Sequence, residues 1–255
     1  MVEVEALRKR RYSRGKRKAK ILKRRVKCRM KKALVVKEDG VSPLVNKYWF
    51  QRYDLFWRYD QGIKMDEEAW FSVTPEKIAV SHALRCGGGA VIDAFAGVGG
   101  NAIQFATMCH HVIAIDIDPR KIALAFENAK IYGVEDHIEF IVGDFFQLAP
   151  SLKGDVVFLS PPWGGPAYKA KKSYTLDLLK PKNGYSLFQV AQSISQNVIM
   201  YLPRNVDVLQ VEELSWLSSP PLKVEIEENI LHGRLKSITA YFGDIALSDP
   251  RMFGL

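Results

Sequence analysis

The chain has 255 residues, of which 47% are apolar, and its 37 Lys and Arg against 28 Asp and Glu give a net charge of +9. This length suits one large domain with a tail or small subdomain, and the apolar content suffices for a sizeable core. No apolar run approaches the roughly 18 residues that span a bilayer, and no apolar segment follows the basic N-terminus. We therefore expect neither a membrane span nor a secretory signal. The three cysteines lack metal-ligand spacing, which indicates free thiols in a reducing compartment and predicts no metal site.

The positive charge is concentrated at the N-terminus. Residues 1–32 contain 16 Lys and Arg and two Glu, whereas the remainder contains 21 basic and 26 acidic residues. Such a segment has too few apolar residues to fold alone. A solvated arm, a nuclear-import signal and a tether for RNA phosphates are all compatible with it, and we favour the two functional roles.

An aromatic-rich stretch follows the basic segment. Its rings recur at roughly helical spacing, which predicts a small helical subdomain over residues 34–75. We expect most of these rings to form the core of that subdomain. They are Tyr48, Trp49, Phe50, Tyr53, Phe56 and Trp57. The predicted organisation is a flexible basic tail over 1–33, the helical subdomain over 34–75 and a larger domain over 76–255.

The larger domain alternates apolar runs with helical patterns. Runs at 90–96, 111–118, 138–144, 155–160 and 197–203 predict strands, and helices are predicted at 101–109, 119–133 and 185–196. Stricter alternation at 223–230 and 236–244 predicts a closing antiparallel pair. These elements predict an α/β fold with a doubly wound, mostly parallel sheet of seven strands. Ligands of such sheets bind beyond the carboxyl ends of the strands.

A glycine-rich stretch, "DAFAGVGGNA", connects the first predicted strand to a helix. Gly97 and Gly99 allow the backbone to turn sharply and to approach a ligand closely. Asp116 ends the second predicted strand, where its carboxylate can accept both ribose hydroxyls of an adenosine. Asp144 ends the third predicted strand, on the side where an adenine would lie.

The glycine pattern alone does not decide the ligand. "GVGGNA" fits the dinucleotide fingerprint, and Asp116 would suit NAD equally well. Asp93, however, lies four residues before Gly97, where a carboxylate would crowd a pyrophosphate but suits an ammonium or a sulfonium. The pattern therefore favours S-adenosylmethionine over NAD, with a purely structural turn as the third alternative.

A second motif, "FLSPPWGGPAY" at 158–168, follows the fourth predicted strand. The proline pair ends the strand. Ser160, Pro161 and Trp163 match the [DNS]-P-P-[YFW] pattern of methyltransferases that modify exocyclic amines of nucleobases. Ser160 and the proline carbonyl can accept the N–H bonds of a weakly nucleophilic amine, while Trp163 stacks on the base, so that the reactants are held in line. Tryptophan offers the best face for a cation, which favours a base methylated at N7; the alternative is a Trp that simply packs after a turn.

Across residues 47–244 the chain resembles the trimethylguanosine synthase family, RNA-cap hypermethylases. The resemblance is carried by "WFSVTPEKIA", "VIDAFAGVGGNAIQFA", "VIAIDIDPRKIALA", "IEFIVGDF", "DVVFLSPPWGGPAY", "YLPRN" and "SITAYFGD". It implies a Rossmann-like methyltransferase sheet and two successive methyl transfers from S-adenosylmethionine to N2 of a 7-methylguanosine cap. It also implies small nuclear and nucleolar RNAs as substrates, with a location in the nucleus, in the nucleolus or Cajal body, and with the cytoplasm as an additional location. Without a sequence signal for assembly, we expect a monomer.

The resemblance assigns roles to individual positions. Ser160 and Pro161 are expected to accept the N–H bonds of the amine. Trp163 is expected to stack on the 7-methylguanine as the third catalytic residue. The cap phosphates or ribose are expected to contact Lys47, Tyr168 and Arg204. The cofactor is expected to contact Phe56, Thr74, Pro75, Asp93, Ala94, Gly97, Gly99, Asn101, Asp116, Ile117, Asp144 and Phe145.

Three other functions remain compatible with the sequence. A methyltransferase of adenine N6 or cytosine N4 shares the second motif, although neutral bases are usually met there by Tyr or Phe. A cap- or RNA-binding protein without catalytic activity would have the same fold and would not catalyse methyl transfer. An NAD oxidoreductase would share only the glycine pattern.

Overall fold

The computed structural model describes residues 43–246. The predicted basic tail over 1–33 lies outside these residues. The boundary predicted after residue 75 lies directly before the ten-residue helix Glu76–Arg85 and stays a prediction. No helix among the residues described here is both long and apolar enough to cross a membrane.

Seven strands form one sheet, and the fold class predicted from the sequence is confirmed. Their bounds are β1 Ala90–Asp93, β2 His111–Asp116, β3 Ile138–Val142, β4 Val156–Leu159, β5 Val198–Pro203, β6 Val224–Leu231 and β7 Arg234–Phe242.

The helices of the described residues surround this sheet. They are α1 Pro43–Tyr48, α2 Arg52–Leu55, α3 Ala69–Ser72, α4 Glu76–Arg85, α5 Gly100–Met108, α6 Pro119–Tyr132, α7 Phe145–Leu148, α8 Gly184–Gln192 and α9 Val208–Glu213. Short 3-10 turns join several of them.

The strand order is β3-β2-β1-β4-β5-β7-β6. Strands β1 to β5 are parallel, and β7 is antiparallel to both of its neighbours. The chain leaves β1 for β2 on one side and later reaches β4 on the other, so the order switches between β1 and β4. A crevice is expected at this point, beyond the carboxyl ends of the strands.

The helix signals read from the sequence explain the observed ends. Pro119 starts α6, the Asp118 carboxylate accepts from the Arg120 N–H, and Gly133 caps the end with a left-handed φ of +72°. The prediction that the third helix runs to residue 196 is wrong, because α8 ends at Gln192. There the Ser195 hydroxyl donates to the Asp155 carbonyl at 2.6 Å, which turns the chain into β5.

The aromatic stretch differs from its predicted role. Of the six rings, only Tyr48 and Phe56 are buried, whereas Phe50 and Trp57 are about three-quarters exposed. The expectation that most of these rings form a core is therefore wrong. The helical period is interrupted by a 3-10 turn at Trp49–Gln51, so that a single face cannot be maintained across the stretch.

A buried polar chain crosses from the helices to the closing strands. The His82 imidazole on α4 is fully buried; its Nδ1 lies 2.9 Å from the Asn101 amide nitrogen and its Nε2 lies 2.9 Å from the Thr239 hydroxyl on β7. The Asn229 amide of β6 donates to the same hydroxyl at 2.7 Å. With Asn101 donating to Nδ1, the imidazole is neutral and carries its proton on Nε2. This hydrogen-bonded network thus connects the start of α5 to strands β7 and β6 of the sheet.

Burial lowers the pKa of His82 from its ordinary value of 6.5 to about 3. The unfolded chain therefore takes up this proton before the folded protein does, and stability is lost as the pH falls below 6.5. We expect this group to reduce the free energy of unfolding by about 2 kcal/mol between pH 7 and pH 5. Denaturant unfolding of the wild type and of His82→Gln at both pH values should show a smaller loss in the variant. Asp93, whose pKa is raised, adds stability as the pH falls, but it does so in both proteins. The test is therefore the difference between the losses of the wild type and of the variant, and equal losses would contradict the role of His82.

Candidate active site

A cavity of about 480 Å³ opens beyond the carboxyl ends of β1 and β4, at the switch in strand order. Its size lies within the ordinary range for small-molecule sites. One wall is the glycine loop after β1, and the opposite wall is the Ser-Pro-Pro-Trp motif after β4. The two motifs singled out in the sequence therefore face the same space.

The glycine loop adopts the conformation that its residues permit. Gly97 has a φ of +53°, its N–H donates to Asp116 Oδ2 at 2.9 Å, and a Cβ built on it would meet nothing within 4 Å. This leaves the backbone open to the cavity. Gly99 serves packing instead, because a Cβ there would lie 3.1 Å from the Ala125 Cβ of α6.

Asp93 presents a buried carboxylate at the end of β1. The side chain is 1% exposed; Oδ1 accepts a long hydrogen bond of 3.4 Å from the Phe95 N–H, and Oδ2 has no partner among residues 43–246. Burial, with a smaller contribution from the charge of Asp116, raises the pKa of Asp93 to about 7. An unpartnered buried oxygen is costly, and an ammonium donor in the cavity would satisfy it.

Two further carboxylates follow the neighbouring strands. Asp116 ends β2, and its oxygens accept from the N–H groups of Gly97 and Asp118, both at 2.9 Å, while burial raises its pKa. Each oxygen keeps a second lone pair for a hydroxyl donor. Asp144 caps α7 by accepting from the Phe146 N–H at 2.9 Å, two residues beyond β3 rather than at its end.

These residues fit S-adenosylmethionine. The free oxygen of Asp93 suits its ammonium, Asp116 suits the ribose hydroxyls, and the apolar side chains of Ile117 and Phe145 on the cavity wall suit its adenine. The cofactor supplies an electrophilic methyl group on a sulfonium. Within the described part of the chain, no cluster of three or more His, Cys, Asp or Glu side chains could hold a metal ion.

The motif after β4 forms the other wall. The Trp163 ring is partly exposed, lies edge-on to Tyr168 with centroids 5.2 Å apart, and lies 5.3 Å from the Tyr201 ring. The main-chain carbonyl of Trp163 accepts from the Tyr174 hydroxyl at 3.2 Å. The Ser160 hydroxyl donates to the Phe95 carbonyl at 3.3 Å, which leaves its lone pairs available to the cavity.

A smaller cleft of about 80 Å³ adjoins the cavity and shares the walls formed by Trp163 and Tyr168. Lys169, Arg204 and Lys236 line it. Burial, together with the neighbouring charges of Lys169 and Arg204, lowers the pKa of Lys236, although Asp54 acts in the opposite direction. Grouped cations beside an aromatic wall form an anion site that suits phosphates.

The structure brings most of the predicted site residues together. Those that line the main cavity are Thr74, Asp93, Ala94, Gly97, Asn101, Asp116, Ile117, Asp144, Phe145, Ser160, Pro161, Trp163 and Tyr168. Arg204 lines the smaller cleft instead.

Three predicted contacts lie away from the cavity wall. Phe56 is buried beneath the first residue of α5, Pro75 is buried at the start of α4, and Gly99 packs against α6. Each supports elements that border the cavity, so their predicted contacts with the cofactor stay predictions. The side chain of Lys47 lies outside those that the structure describes.

Several cavity residues carry no recognisable sequence signal. Among them are Lys180 in the main cavity and Lys236 in the cleft; Phe95 and Tyr201, which also line the main cavity, lie within the stretches "DAFAGVGGNA" and "YLPRN" but were given no role of their own. Lys236 lies in β7, where apolar and polar residues alternate as in an ordinary strand. It becomes part of a site only because α2 and the loop after β4 pack beside it and line the same cleft. Lys121 also lines the main cavity, and its ammonium donates a hydrogen bond to the carboxylate of Glu68, which precedes α3.

Comparison with known proteins agrees with this geometry. A family model described as RNA cap guanine-N2 methyltransferase matches residues 88–245. The chain is 44% identical over 212 residues to trimethylguanosine synthase of Schizosaccharomyces pombe, covering 79% of this chain and 87% of that protein. It is 36% identical over 225 residues to trimethylguanosine synthase of Saccharomyces cerevisiae, covering 82% and 71%. A SAM-dependent methyltransferase of Agrobacterium tumefaciens shares the fold, with a TM-score of 0.54, 15% identity and coverage of 68% and 63%.

The matched region contains all seven strands, the glycine loop and the Ser-Pro-Pro-Trp motif. The resemblance read from those motifs is thereby confirmed. The chain belongs to the RNA cap guanine-N2 methyltransferase family, and its methyl donor is S-adenosylmethionine.

Proposed function

We propose that this enzyme transfers two methyl groups in succession to N2 of a 7-methylguanosine cap, on small nuclear and nucleolar RNAs. The observation that carries the proposal is that Trp163 and Ser160 share one cavity with the partnerless carboxylate of Asp93 and with the glycine loop. A stacking surface and an amine acceptor thus lie opposite a site for the methyl donor. The two yeast relatives, both named trimethylguanosine synthase, support the product with two added methyl groups.

Trp163 provides selectivity for a base that is already methylated at N7. Such a guanine carries positive charge in its ring, and an indole face attracts a cation more strongly than other aromatic faces do. Tyr168 and Tyr201 flank the indole on two sides and restrict its rotation. A fixed ring plane places the base, and with it the amine, in a defined position.

Ser160 orients the amine. Since its hydroxyl proton is directed at the Phe95 carbonyl, its oxygen is free to accept an N–H of the guanine amine. This holds the lone pair of N2 toward the side of the cavity that Asp93 and Gly97 border. Holding the partners in line accounts for much of the acceleration in such reactions, and effective molarities of about 10⁵ M or more are reached in well-aligned systems.

The chemistry of the amine sets the number of transfers. N2 of guanine bears two hydrogens, and each transfer forms one N–C bond, breaks the S–CH₃ bond of the sulfonium to leave a neutral thioether, and releases one proton to solvent. After the first transfer one N–H remains, and Ser160 can still accept it. After the second none remains, so the product loses this contact.

The cleft beside Trp163 is the proposed site of the cap triphosphate. Lys169, Arg204 and Lys236 would approach its oxygens, and charge-assisted contacts of this kind are among the stronger hydrogen bonds. Burial contributes most to the lowered pKa of Lys236, and repulsion by the positive charges of Lys169 and Arg204 adds to it, while Asp54 acts in the opposite direction. A bound triphosphate would remove this repulsion.

We also propose a nuclear location, in the nucleolus or Cajal body, and a monomeric enzyme. The basic segment over residues 1–32 would act as an import signal, an RNA tether or both.

The proposal is tested first on the smallest substrates. The protein and S-adenosylmethionine are incubated with a 7-methylguanosine triphosphate cap dinucleotide or with its unmethylated guanosine counterpart, and the products are weighed by mass spectrometry. We expect gains of one and then two methyl groups on the first substrate and none on the second.

Equal methylation of both substrates would contradict the role of Trp163 in selecting a charged ring. A product that stops at one methyl group would contradict the second transfer. Methylation of uncapped RNA, with both cap substrates unchanged, would overturn the proposal in favour of an adenine or cytosine methyltransferase.

Cofactor affinity should depend on pH through Asp93. Its pKa is raised to about 7, so an ammonium can bind below that pH only as the carboxyl releases its proton. We expect the association constant to rise about tenfold per pH unit up to pH 7 and to level off above it. Calorimetric titration in buffers of different ionisation enthalpy should also detect proton release at pH 6. Asp93→Asn should bind more weakly and without this dependence; a wild-type affinity that is independent of pH would exclude the assignment.

Substitutions on the two walls should separate cofactor binding from methyl transfer. Trp163→Ala should lower kcat/KM for the cap dinucleotide roughly 100-fold or more, through lost stacking and misplacement, with cofactor affinity within a few-fold of wild type. Asp116→Ala should chiefly weaken cofactor binding. Trp163→Phe, which keeps a stacking face, serves as the matched control and should retain part of the activity. Near wild-type kcat/KM for Trp163→Ala would remove the indole from the cap site.

A further inference from the structure

We infer that the RNA chain beyond the cap docks on an exposed basic ridge formed by Lys171, Lys172 and Arg204, beside the smaller cleft. The inference rests on the proposed function, because it requires a cap in the main cavity. It adds a surface for the nucleotides that follow the triphosphate.

The ridge begins at the proposed cap site. Tyr168 lies edge-on to Trp163, with ring centroids 5.2 Å apart, and Lys169 lines both cavities. Lys171 follows Tyr168 by three residues, so its Cα lies within about 11 Å of that of Tyr168. Arg204 lines the cleft from the other side, directly after β5. A chain that leaves the cleft between them therefore meets Lys171 and Lys172 next.

Backbone hydrogen bonds hold the ridge in place. The Asn205 side-chain amide donates to the carbonyl of Lys171 at 2.8 Å and to that of Tyr168 at 3.3 Å. The Tyr174 N–H donates to the Asn205 carbonyl at 2.8 Å. The loop is thus fixed to the residue that follows Arg204 by its main chain, while the side chains of Lys171 and Lys172 stay exposed.

None of the ion pairs within residues 43–246 involves Lys171, Lys172 or Arg204. The chain outside residues 1–32 nevertheless carries more acidic than basic residues. Three exposed cations on segments that are joined through Asn205, none of them in an ion pair of the described residues, form a local attractive field for a polyanion. Continuity with the cleft favours RNA over an acidic protein, since the phosphates of one chain can occupy both.

The test uses the full chain and two substrates, the 7-methylguanosine cap dinucleotide and a capped RNA of roughly 20 nucleotides. The variant is Lys171→Glu/Lys172→Glu. The matched control is Lys153→Glu/Lys223→Glu, an equal charge change at exposed residues that precede β4 and β6, at the opposite edge of the sheet. Thermal unfolding checks that all the proteins fold, and KM on each substrate and RNA affinity against salt concentration are measured.

For Lys171→Glu/Lys172→Glu we expect KM on the long RNA to rise roughly tenfold at low salt while KM on the dinucleotide changes less than about twofold. The salt dependence of RNA affinity should become shallower by about 1.4 in log–log slope, since each lost phosphate contact removes about 0.7. The control variant should match the wild type.

Three results would overturn the inference: an unchanged KM on the long RNA, an equal rise on both substrates, or an equal effect of the control variant. The first would leave the ridge to an acidic protein partner instead. Failure of the proposed function would be recognised separately, because the wild type itself would then leave the cap dinucleotide unmethylated while RNA affinity still reports on the ridge.

Discussion

The active site depends on a carboxylate that the fold buries at the end of β1. An ionised Asp93 in this position lacks a donor for one oxygen, and burial holds its pKa near 7. The sharp turn at Gly97 follows immediately and opens the backbone to the same space. A cationic ligand offsets the cost of ionising the carboxyl, so the cavity is complementary to the charge of its methyl donor before any other contact forms.

The functional residues follow the strand order of the sheet. Asp144 lies beyond β3, Asp116 ends β2, Asp93 ends β1, Ser160 follows β4 and Arg204 follows β5, and these five strands are adjacent in that order. The groups assigned to adenine, ribose, ammonium, amine and phosphate thus succeed one another along one edge. The switch between β1 and β4 falls between the methyl donor and its acceptor. The order of the parallel strands therefore both aligns the residues assigned to the two substrates along one end of the sheet and separates the methyl donor from its acceptor.

The sequence predicted the strands and the two motifs well, because apolar runs bounded by glycine and proline are local signals. Asp93, Asp116 and Trp163 were identified since motif spacing places them at strand ends. Lys236 and Lys180 were not, because only tertiary packing brings them to a cavity. The aromatic stretch was misjudged for a related reason: spacing alone cannot show that a 3-10 turn interrupts the helix or which rings the sheet covers.

The buried polar chain through His82 links the start of α5 to the closing strands. Asn101 is held by His82, which is held in turn by Thr239 on β7 and, through it, Asn229 on β6. The glycine loop and the residue that steadies it are thus separated by more than a hundred positions along the chain. During synthesis the loop emerges early but lacks its support until the final strand has left the ribosome and inserted beside β5. The hydrogen-bonded support of Asn101, a residue of the cavity wall, is therefore complete only after β6 and β7 have been synthesised.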